Sequence, residues 1–168
     1  MSVITRRQFS MGLLASTGLS GASSREALGS TPYDLIARQH TARLAPSDYP
    51  ETLVWTYGGT VPGPAIRVRQ GEQVLQRFKN ELPQASSVHW HGIRIDNAMD
   101  GVVGLTQAAV EPGGEFLYDF TVPDAGTYWY HPHNRSWEQM ARGLYGALII
   151  EEAGEVPEVD LDEVLLLD

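Results

Sequence analysis

The fold class that the sequence predicts is all-β, a sandwich or barrel of about eight short strands. β-prone runs recur about every 8–12 residues, Gly, Pro, Asn and Asp stand between them, and only one segment has helical character. The hydrophobic fraction of 42% and the charged fraction of 20% are those of a globular protein. A chain of 168 residues is long enough to bury a sizeable core and favours one domain.

Four β-prone runs precede the histidine-rich part of the chain. Because residues i and i+2 of a strand point to the same face, Ile66 and Val68 are predicted to share one face. The fourth run alternates in the same way, with Val74, Gln76 and Phe78 on one face. The turns between consecutive runs favour antiparallel pairing. The four runs are 33–44, 51–59, 61–72 and 73–83.

The later part of the chain supplies four further β-prone runs and the helical segment. "EPGG" (111–114) and "VPDAG" (122–126) predict turns, because Pro fixes φ and Gly tolerates positive φ. "RSWEQMARG" (135–143) contains good helix formers and predicts one short helix, with Gly143 as its C-cap. The four runs are 87–93, 115–123, 126–133 and 143–152.

Four of the chain's five histidines stand in two His-x-His pairs, His89 with His91 and His131 with His133. In a strand, both histidines of such a pair project from the same face. Imidazole is the commonest metal ligand in proteins and suits Cu, Zn, Fe and Ni. Two pairs on neighbouring strands therefore predict a site for one metal ion or for several close together. The spacing alone does not choose the metal.

The residues beside the two pairs have structural explanations. Trp90 is predicted to point away from the histidines, and Trp129 and Tyr130 are predicted to pack around the site. Pro132 cannot donate a hydrogen bond to a neighbouring strand, so it belongs at a sheet edge or a strand end. His40 stands alone and is interpreted as an ordinary core or surface histidine.

The absence of cysteine and the acidic charge exclude several classes of function. Without cysteine there are no disulfide bonds, iron–sulfur ligands, zinc fingers or thiol catalysis, and no blue-copper site, which needs a Cys thiolate. The net charge is −9, and residues 1–30 carry three arginines and one glutamate, so the remainder has a net charge of −11. Such a surface repels nucleic acid and anionic lipid, which argues against both as partners.

Residues 1–30 are predicted to be an export signal of the twin-arginine type. The pair Arg6 and Arg7 precedes Phe9 and a weakly apolar run rich in Gly, Ala and Ser. The run is far shorter than the roughly 20 residues that span a bilayer, and no other segment is apolar enough to cross one. Cleavage between about residues 22 and 30 would release a protein outside the cytoplasm, in the periplasm.

Further motifs surround the two histidine pairs. "VPGPAIRVRQGE" precedes the first pair, "DG" and "LTQ" lie between the pairs, and "GLYGALII" follows the second. Together with the pairs, these motifs closely resemble the first cupredoxin domain of the multicopper oxidases, the family of laccases, ascorbate and bilirubin oxidases and bacterial cuprous oxidases. The resemblance spans roughly residues 50–152. It implies a cupredoxin-like Greek-key β-sandwich over residues 31–152.

The resemblance also implies a role for each histidine of the pairs and for one acid. His89 resembles the family's ligand to the type 2 copper. His91 and His131 resemble ligands to one of the paired type 3 coppers, and His133 resembles a ligand to the other. Asp100 resembles the acid that assists proton delivery while the copper cluster reduces O₂ to water. From the sequence alone, a turn aspartate before a glycine is the simpler interpretation of Asp100.

Four histidines make half of the family's trinuclear copper cluster. In the family, a C-terminal cupredoxin domain supplies the other half and carries the blue type 1 copper with its Cys, and this sequence contains neither. We therefore expect the N-terminal domain of an exported multicopper oxidase, inactive alone. Residues 153–168 are expected to form an acidic linker and the start of a truncated second domain. The reducing substrate, a phenol, a tetrapyrrole or a metal ion, is expected to bind elsewhere in the oxidase.

Two other functions remain compatible with the histidine pattern. A stand-alone copper-binding module, either a carrier or a homodimer that pools two half-sites, would need no route for electron entry. A mononuclear zinc enzyme, such as a hydro-lyase of the α-carbonic-anhydrase kind, also uses a His-x-His strand pair with one more His. The chain length and the flanking motifs argue against the zinc enzyme, and a preference for zinc over copper would favour it.

Overall fold

All eight β-prone runs form strands in a computed structural model of the chain, which describes residues 32–155 and 158–167. The strands make two four-stranded sheets, which confirms the all-β sandwich. The predicted export signal (1–30) lies outside the described residues. The strands are β1 (Tyr33–Ala42), β2 (Thr52–Tyr57), β3 (Ile66–Arg69), β4 (Gln73–Asn80), β5 (His89–His91), β6 (Glu115–Thr121), β7 (Gly126–His131) and β8 (Gly146–Glu151).

The two sheets contain both antiparallel and parallel neighbours. One sheet has the strand order β2-β1-β4-β6 and the other β3-β8-β7-β5. Strands β1 and β4 are parallel, as are β3 and β8. The predicted antiparallel pairing is therefore wrong for these two pairs. Parallel neighbours cannot be joined by a tight hairpin. Here the chain visits the opposite sheet between the two members of each parallel pair, as in a Greek-key sandwich.

The core between the sheets is rich in aromatic rings. Trp90 of β5 is fully buried, and its ring centroid lies 5.5 Å from that of Tyr118 and 5.7 Å from that of Tyr130. Such pairs add roughly 0.5–1.5 kcal/mol each beyond the burial of their area. Val74, Gln76 and Phe78 of β4 are also buried, which confirms that they share one face of that strand. Strands β5 and β7 therefore rest on a closely packed aromatic base.

A short helix, α1 (Ser136–Gln139), follows the second histidine pair. The predicted helix over 135–143 has the correct place but is too long, because the chain continues as turns after Gln139. Arg135, just before α1, adopts a left-handed conformation with φ 49°, which is uncommon for a residue other than glycine. Gly143 does not cap α1. It has φ 113°, and its N–H donates to the carbonyl oxygen of Met140 at 2.7 Å, which closes the following turn.

The described C-terminal segment, residues 158–167, contains neither helix nor strand. Asp162 Oδ2 in this segment lies 2.9 Å from Arg67 Nη1 of β3, and Leu161 and Leu165 are exposed. The assignment of 153–168 to a linker and the start of a second domain stays a prediction. Among the described helices, none has the length and hydropathy needed to cross a bilayer.

Candidate metal centre

The register of β5 against β7 places the two histidine pairs side by side. The strands are antiparallel, with His89 opposite His131 and His91 opposite Trp129. Residues directly opposite each other share a face of the sheet, and so do residues two apart in one strand. The side chains of His89, His91, His131 and Trp129 therefore lie on one face. Trp90 between the first two histidines points into the core, as predicted.

Three of the four predicted ligands converge. The ligand nitrogens of His89, His91 and His131 lie within 4.8 Å of one another. The distance between His91 Nδ1 and His131 Nε2 is 3.2 Å. Two nitrogens that each lie about 2 Å from one metal ion are about 3 Å apart. Without a metal, this contact is a hydrogen bond between the two rings, and the same spacing suits two ligands of a single ion.

Backbone carbonyl groups fix the rings of two of these histidines. His89 Nδ1 lies 2.6 Å from the carbonyl oxygen of Asp100, and His131 Nδ1 lies 2.9 Å from that of Pro132. Because a carbonyl oxygen can only accept a hydrogen bond, each Nδ1 carries the proton and donates it. In the neutral form of each ring, Nε2 is then the nitrogen with the lone pair that a metal ion can bind.

Burial keeps the imidazole of His131 uncharged. The residue is only 6% exposed, and burial lowers the pKa of His131 to about 4. The hydrogen bond to the carbonyl of Pro132 opposes this shift, whereas nearby His89, His91 and His133 reinforce it by repelling a further positive charge. At neutral pH His131 is therefore neutral, which is the form of imidazole that binds metals.

His133 lies at the rim of the cluster. Strand β7 ends at His131, and Pro132 follows directly, which confirms its predicted place at a strand end. The ring centroid of the exposed His133 lies 5.2 Å from that of His89 and 6.3 Å from that of His131. His133 thus borders the cluster but stands apart from the three closely spaced nitrogens.

Asp100 lies beside His89, and a glycine permits this approach. Asp100 Oδ1 is 3.4 Å from His89 Nδ1, in addition to the shorter contact of its carbonyl. Asp100 ends a 3-10 turn (Asn97–Met99) and precedes Gly101, which has φ 79°. A Cβ at position 101 would lie 1.8 Å from the carbonyl oxygen of Val88, so only glycine lets this loop reach the strand. Asp100 is both a turn residue and a neighbour of the cluster.

Trp129 covers one side of two histidines. Its ring centroid lies 4.8 Å from that of His91 and 4.1 Å from that of His131, with an interplanar angle of 30° in both cases. The two imidazole centroids are 5.4 Å apart, so Trp129 stacks across both rings and does not separate them. The predicted packing role beside the site is thus confirmed for this residue. Its ring excludes water from that side of the pair.

The donor set fits a transition metal with nitrogen preference. Among the described residues, His89, His91 and His131 form the one cluster of potential ligands, and all of its donors are imidazoles. Calcium and magnesium prefer oxygen ligands, whereas copper and zinc accept neutral imidazole readily. The arrangement can hold such an ion, and the geometry alone does not choose between copper and zinc.

Sequence reasoning missed two groups that hold the histidines in place. Ser87 Oγ accepts a hydrogen bond from the backbone N–H of His133 at 3.1 Å, and the Pro132 carbonyl accepts from His131 Nδ1. A serine two positions before His89 was the available signal for the first contact. No residue type signals the second, because every residue has a backbone carbonyl.

Comparisons with known proteins identify the family. The family model of the multicopper oxidases matches residues 39–155, which include both histidine pairs. Copper resistance protein A of Pseudomonas syringae pv. tomato is 39% identical over 150 residues, which cover 89% of this chain and 22% of that protein. The multicopper oxidase MmcO of Mycobacterium tuberculosis is 43% identical over 113 residues, covering 67% of this chain and 22% of that protein. The chain thus spans about a fifth of the length of these relatives.

Solved structures agree with this result. Lac15 from a marine microbial metagenome has 56% sequence identity and a TM-score of 0.70, covering 74% of this chain and 33% of that chain. The multi-copper oxidase from Pseudomonas thermotolerans has 44% identity and a TM-score of 0.70, covering 74% of this chain and 30% of that chain. The matched residues, the β-sandwich and the histidine cluster agree, and the chain belongs to the multicopper oxidase family.

Proposed function

We propose that this chain is the N-terminal domain of an exported multicopper oxidase and supplies half of the ligands of a trinuclear copper cluster. The other half would come from a C-terminal cupredoxin domain outside this chain. The observation that carries the proposal is the 3.2 Å separation of His91 Nδ1 and His131 Nε2, which suits two nitrogens on one ion. The complete oxidase would reduce O₂ to water while it oxidises one-electron donors.

Each of the four histidines has a proposed copper. His89 is assigned to the type 2 copper, His91 and His131 to one type 3 copper, and His133 to the other type 3 copper. The convergence of His91 and His131 supports placing those two on the same ion. The ring centroid of His133 lies 6.3 Å from that of His131 but 5.2 Å from that of His89, which suits an ion other than the one between His91 and His131.

Bound copper would supply one-electron redox chemistry, and several copper ions together allow the reduction of O₂ by four electrons without release of peroxide. The residues of this chain prepare the site for the metal. The carbonyls of Asp100 and Pro132 hold the protons of His89 and His131 on Nδ1, so in the neutral rings the lone pair for a metal lies on Nε2. Trp129 keeps water from one side of the His91–His131 pair.

The carboxylate of Asp100 is proposed to deliver protons that the reduction of O₂ consumes. Its side chain is 30% exposed and lies 3.4 Å from His89 Nδ1, so it can exchange protons with solvent on one side and face the cluster on the other. Asp100→Asn retains the carbonyl that orients His89. We expect unchanged copper content and O₂ turnover reduced about ten- to 100-fold in the complete oxidase. Turnover equal to wild type at every pH would leave Asp100 with its turn role alone.

The reducing substrate and the cellular location are the remaining parts of the proposal. A phenol, a tetrapyrrole or a metal ion would bind in the part of the oxidase that carries the blue copper, and the similarity to a copper resistance protein supports a copper-related donor. Arg6 and Arg7, with the short apolar run after them, support export by the twin-arginine route to the periplasm.

Competition between copper and zinc for the purified chain tests the proposed function. Nitrogen sites generally bind Cu²⁺ more tightly than Zn²⁺, so copper in excess over zinc is a necessary result but a weak one alone. The stronger result is a type 2-like copper EPR spectrum without blue absorption, because the chain has no Cys. One tightly bound zinc ion, against the general order, would favour the mononuclear zinc hydro-lyase. A copper-dependent homodimer would favour the stand-alone module.

A further inference from the structure

His133 is positioned by a contact outside the β-ladder. It follows the last residue of β7, and Pro132 before it has no N–H with which to continue the ladder. The residue is exposed, so its imidazole is not held by burial. Its backbone N–H donates to Ser87 Oγ at 3.1 Å. This hydrogen bond fixes the backbone from which the ring of His133 projects.

Ser87 is suited to hold a distance between the two histidine pairs. The residue is fully buried, at 0% exposure, so water does not compete for its hydroxyl group. It lies two positions before His89, in the segment that leads into β5. Its carbonyl accepts a hydrogen bond from the hydroxyl of buried Tyr57 at 3.4 Å, which ties the segment to the core. One hydroxyl thus connects the backbone of the first pair with that of the second.

Further hydrogen bonds near the Ser87 hydroxyl join the segment before β5 to the segment after β7. The side-chain amides of Asn134 and Gln139 both donate to the carbonyl oxygen of Ala85, at 2.7 and 2.9 Å. The hydroxyl of Ser86 donates to Gln139 Oε1 at 2.7 Å. Between Asn134 and Gln139, Arg135 has a left-handed backbone that is unfavourable for a residue other than glycine. Such a conformation persists where the surroundings determine it, and hydrogen bonds of Asn134 and Gln139 flank it on both sides.

From these contacts we propose that Ser87 is the positioning residue for His133. His89, His91 and His131 lie in the β5–β7 ladder, whereas His133 takes its position from the hydroxyl of Ser87. The inference rests on the proposed function, because a separately positioned His133 matters where it binds a different copper ion from His91 and His131.

Three variants test the role of Ser87 in the metal-free chain. Ser87→Ala removes the acceptor, and Ser87→Thr retains a hydroxyl. Ser86→Ala removes an equally buried hydroxyl that donates to Gln139 and contacts the carbonyl of Ser87 at 3.5 Å, but does not contact His133. We expect amide hydrogen exchange at His133, followed by NMR, to become about tenfold faster in Ser87→Ala. It should become faster by clearly less in Ser86→Ala than in Ser87→Ala, and return toward wild type in Ser87→Thr. Unchanged protection of this amide in Ser87→Ala would overturn the proposal.

Titration of the same variants with Cu⁺, which is diamagnetic, separates this role from general stability. Coordination should shift the ring ¹⁵N resonances of all four paired histidines in the wild-type chain. In Ser87→Ala, the ring ¹⁵N resonances of His91 and His131 should shift as in wild type, whereas those of His133 should need about tenfold more copper. Equal shifts of His133 in both proteins would contradict the proposal. If no wild-type histidine were shifted, the proposed copper function would fail, and the exchange measurement would still decide the role of Ser87.

Discussion

Replacement of His131 by alanine is expected to lower the copper affinity of the chain by roughly 100-fold or more. Loss of a residue that only supports a metal ligand typically costs about 10–100-fold, and His131 is proposed as a ligand itself. Its Nε2 is the nitrogen that lies 3.2 Å from His91 Nδ1, and it is opposite His89 in the ladder. Without it, His91 keeps only His89 as a neighbouring donor, within 4.8 Å. Competition against a chelator of known affinity measures the loss.

His40→Ala is the matched control for this variant. It removes the remaining histidine of the chain, which is exposed on β1 and outside the cluster. Copper affinity should equal that of the wild type, and far-UV circular dichroism should show both variants folded. Similar losses in the two variants would indicate binding to scattered surface imidazoles. Wild-type affinity in His131→Ala would show that the metal is held by other residues.

The largest expected loss of stability follows from Gly101→Ala. The new Cβ would lie 1.8 Å from the carbonyl oxygen of Val88, and the residue would have to keep φ 79°. Backbone strain and overpacking each cost about 1–3 kcal/mol, so we expect the free energy of unfolding to fall by about 3–5 kcal/mol. The midpoint of thermal unfolding should fall by about 10 °C or more. Copper affinity should fall as well, because the loop that carries Asp100 must withdraw from His89.

Gly104→Ala separates backbone strain from the collision. Gly104 has φ 80°, almost the same as Gly101, but an added Cβ would have no atom within 4 Å. This variant should therefore lose only about 1–2 kcal/mol, the cost of a left-handed backbone for alanine. Equal losses of stability at the two positions would mean that the close approach of the 97–101 loop to β5 is not what requires glycine.

Local sequence patterns were sufficient to predict the strands but not their neighbours. The alternation of Val74 and Phe78 with polar residues and the Pro- and Gly-containing turns located the strands, because these signals act over a few residues. The parallel pairs β1–β4 and β3–β8 join distant segments, and no local pattern encodes them. The helix was predicted too long because tertiary contacts override helix propensity. Arg135 has a left-handed backbone, so the helix begins only at Ser136. Gln139 at the end of the helix is buried, and its side-chain amide donates to the carbonyl oxygen of Ala85.

The sequence was sufficient to predict the residues of the candidate site, but not the register of β5 against β7 that aligns them. The two-residue period of a strand places each histidine pair on one face, and four of five histidines in such pairs indicate a metal. The alignment of His89 with His131 depends on how β5 and β7 meet across the sheet, which the sequence does not specify. The contact of Ser87 with His133 depends on the same register.

His91 and His131 are proposed to hold one copper ion. The most direct test is a crystal structure of the copper-loaded chain, with anomalous diffraction data collected at the copper absorption edge. We expect an anomalous peak between His91 Nδ1 and His131 Nε2, about 2 Å from each nitrogen. Absence of copper at that position, with copper bound instead to residues outside the cluster, would contradict it.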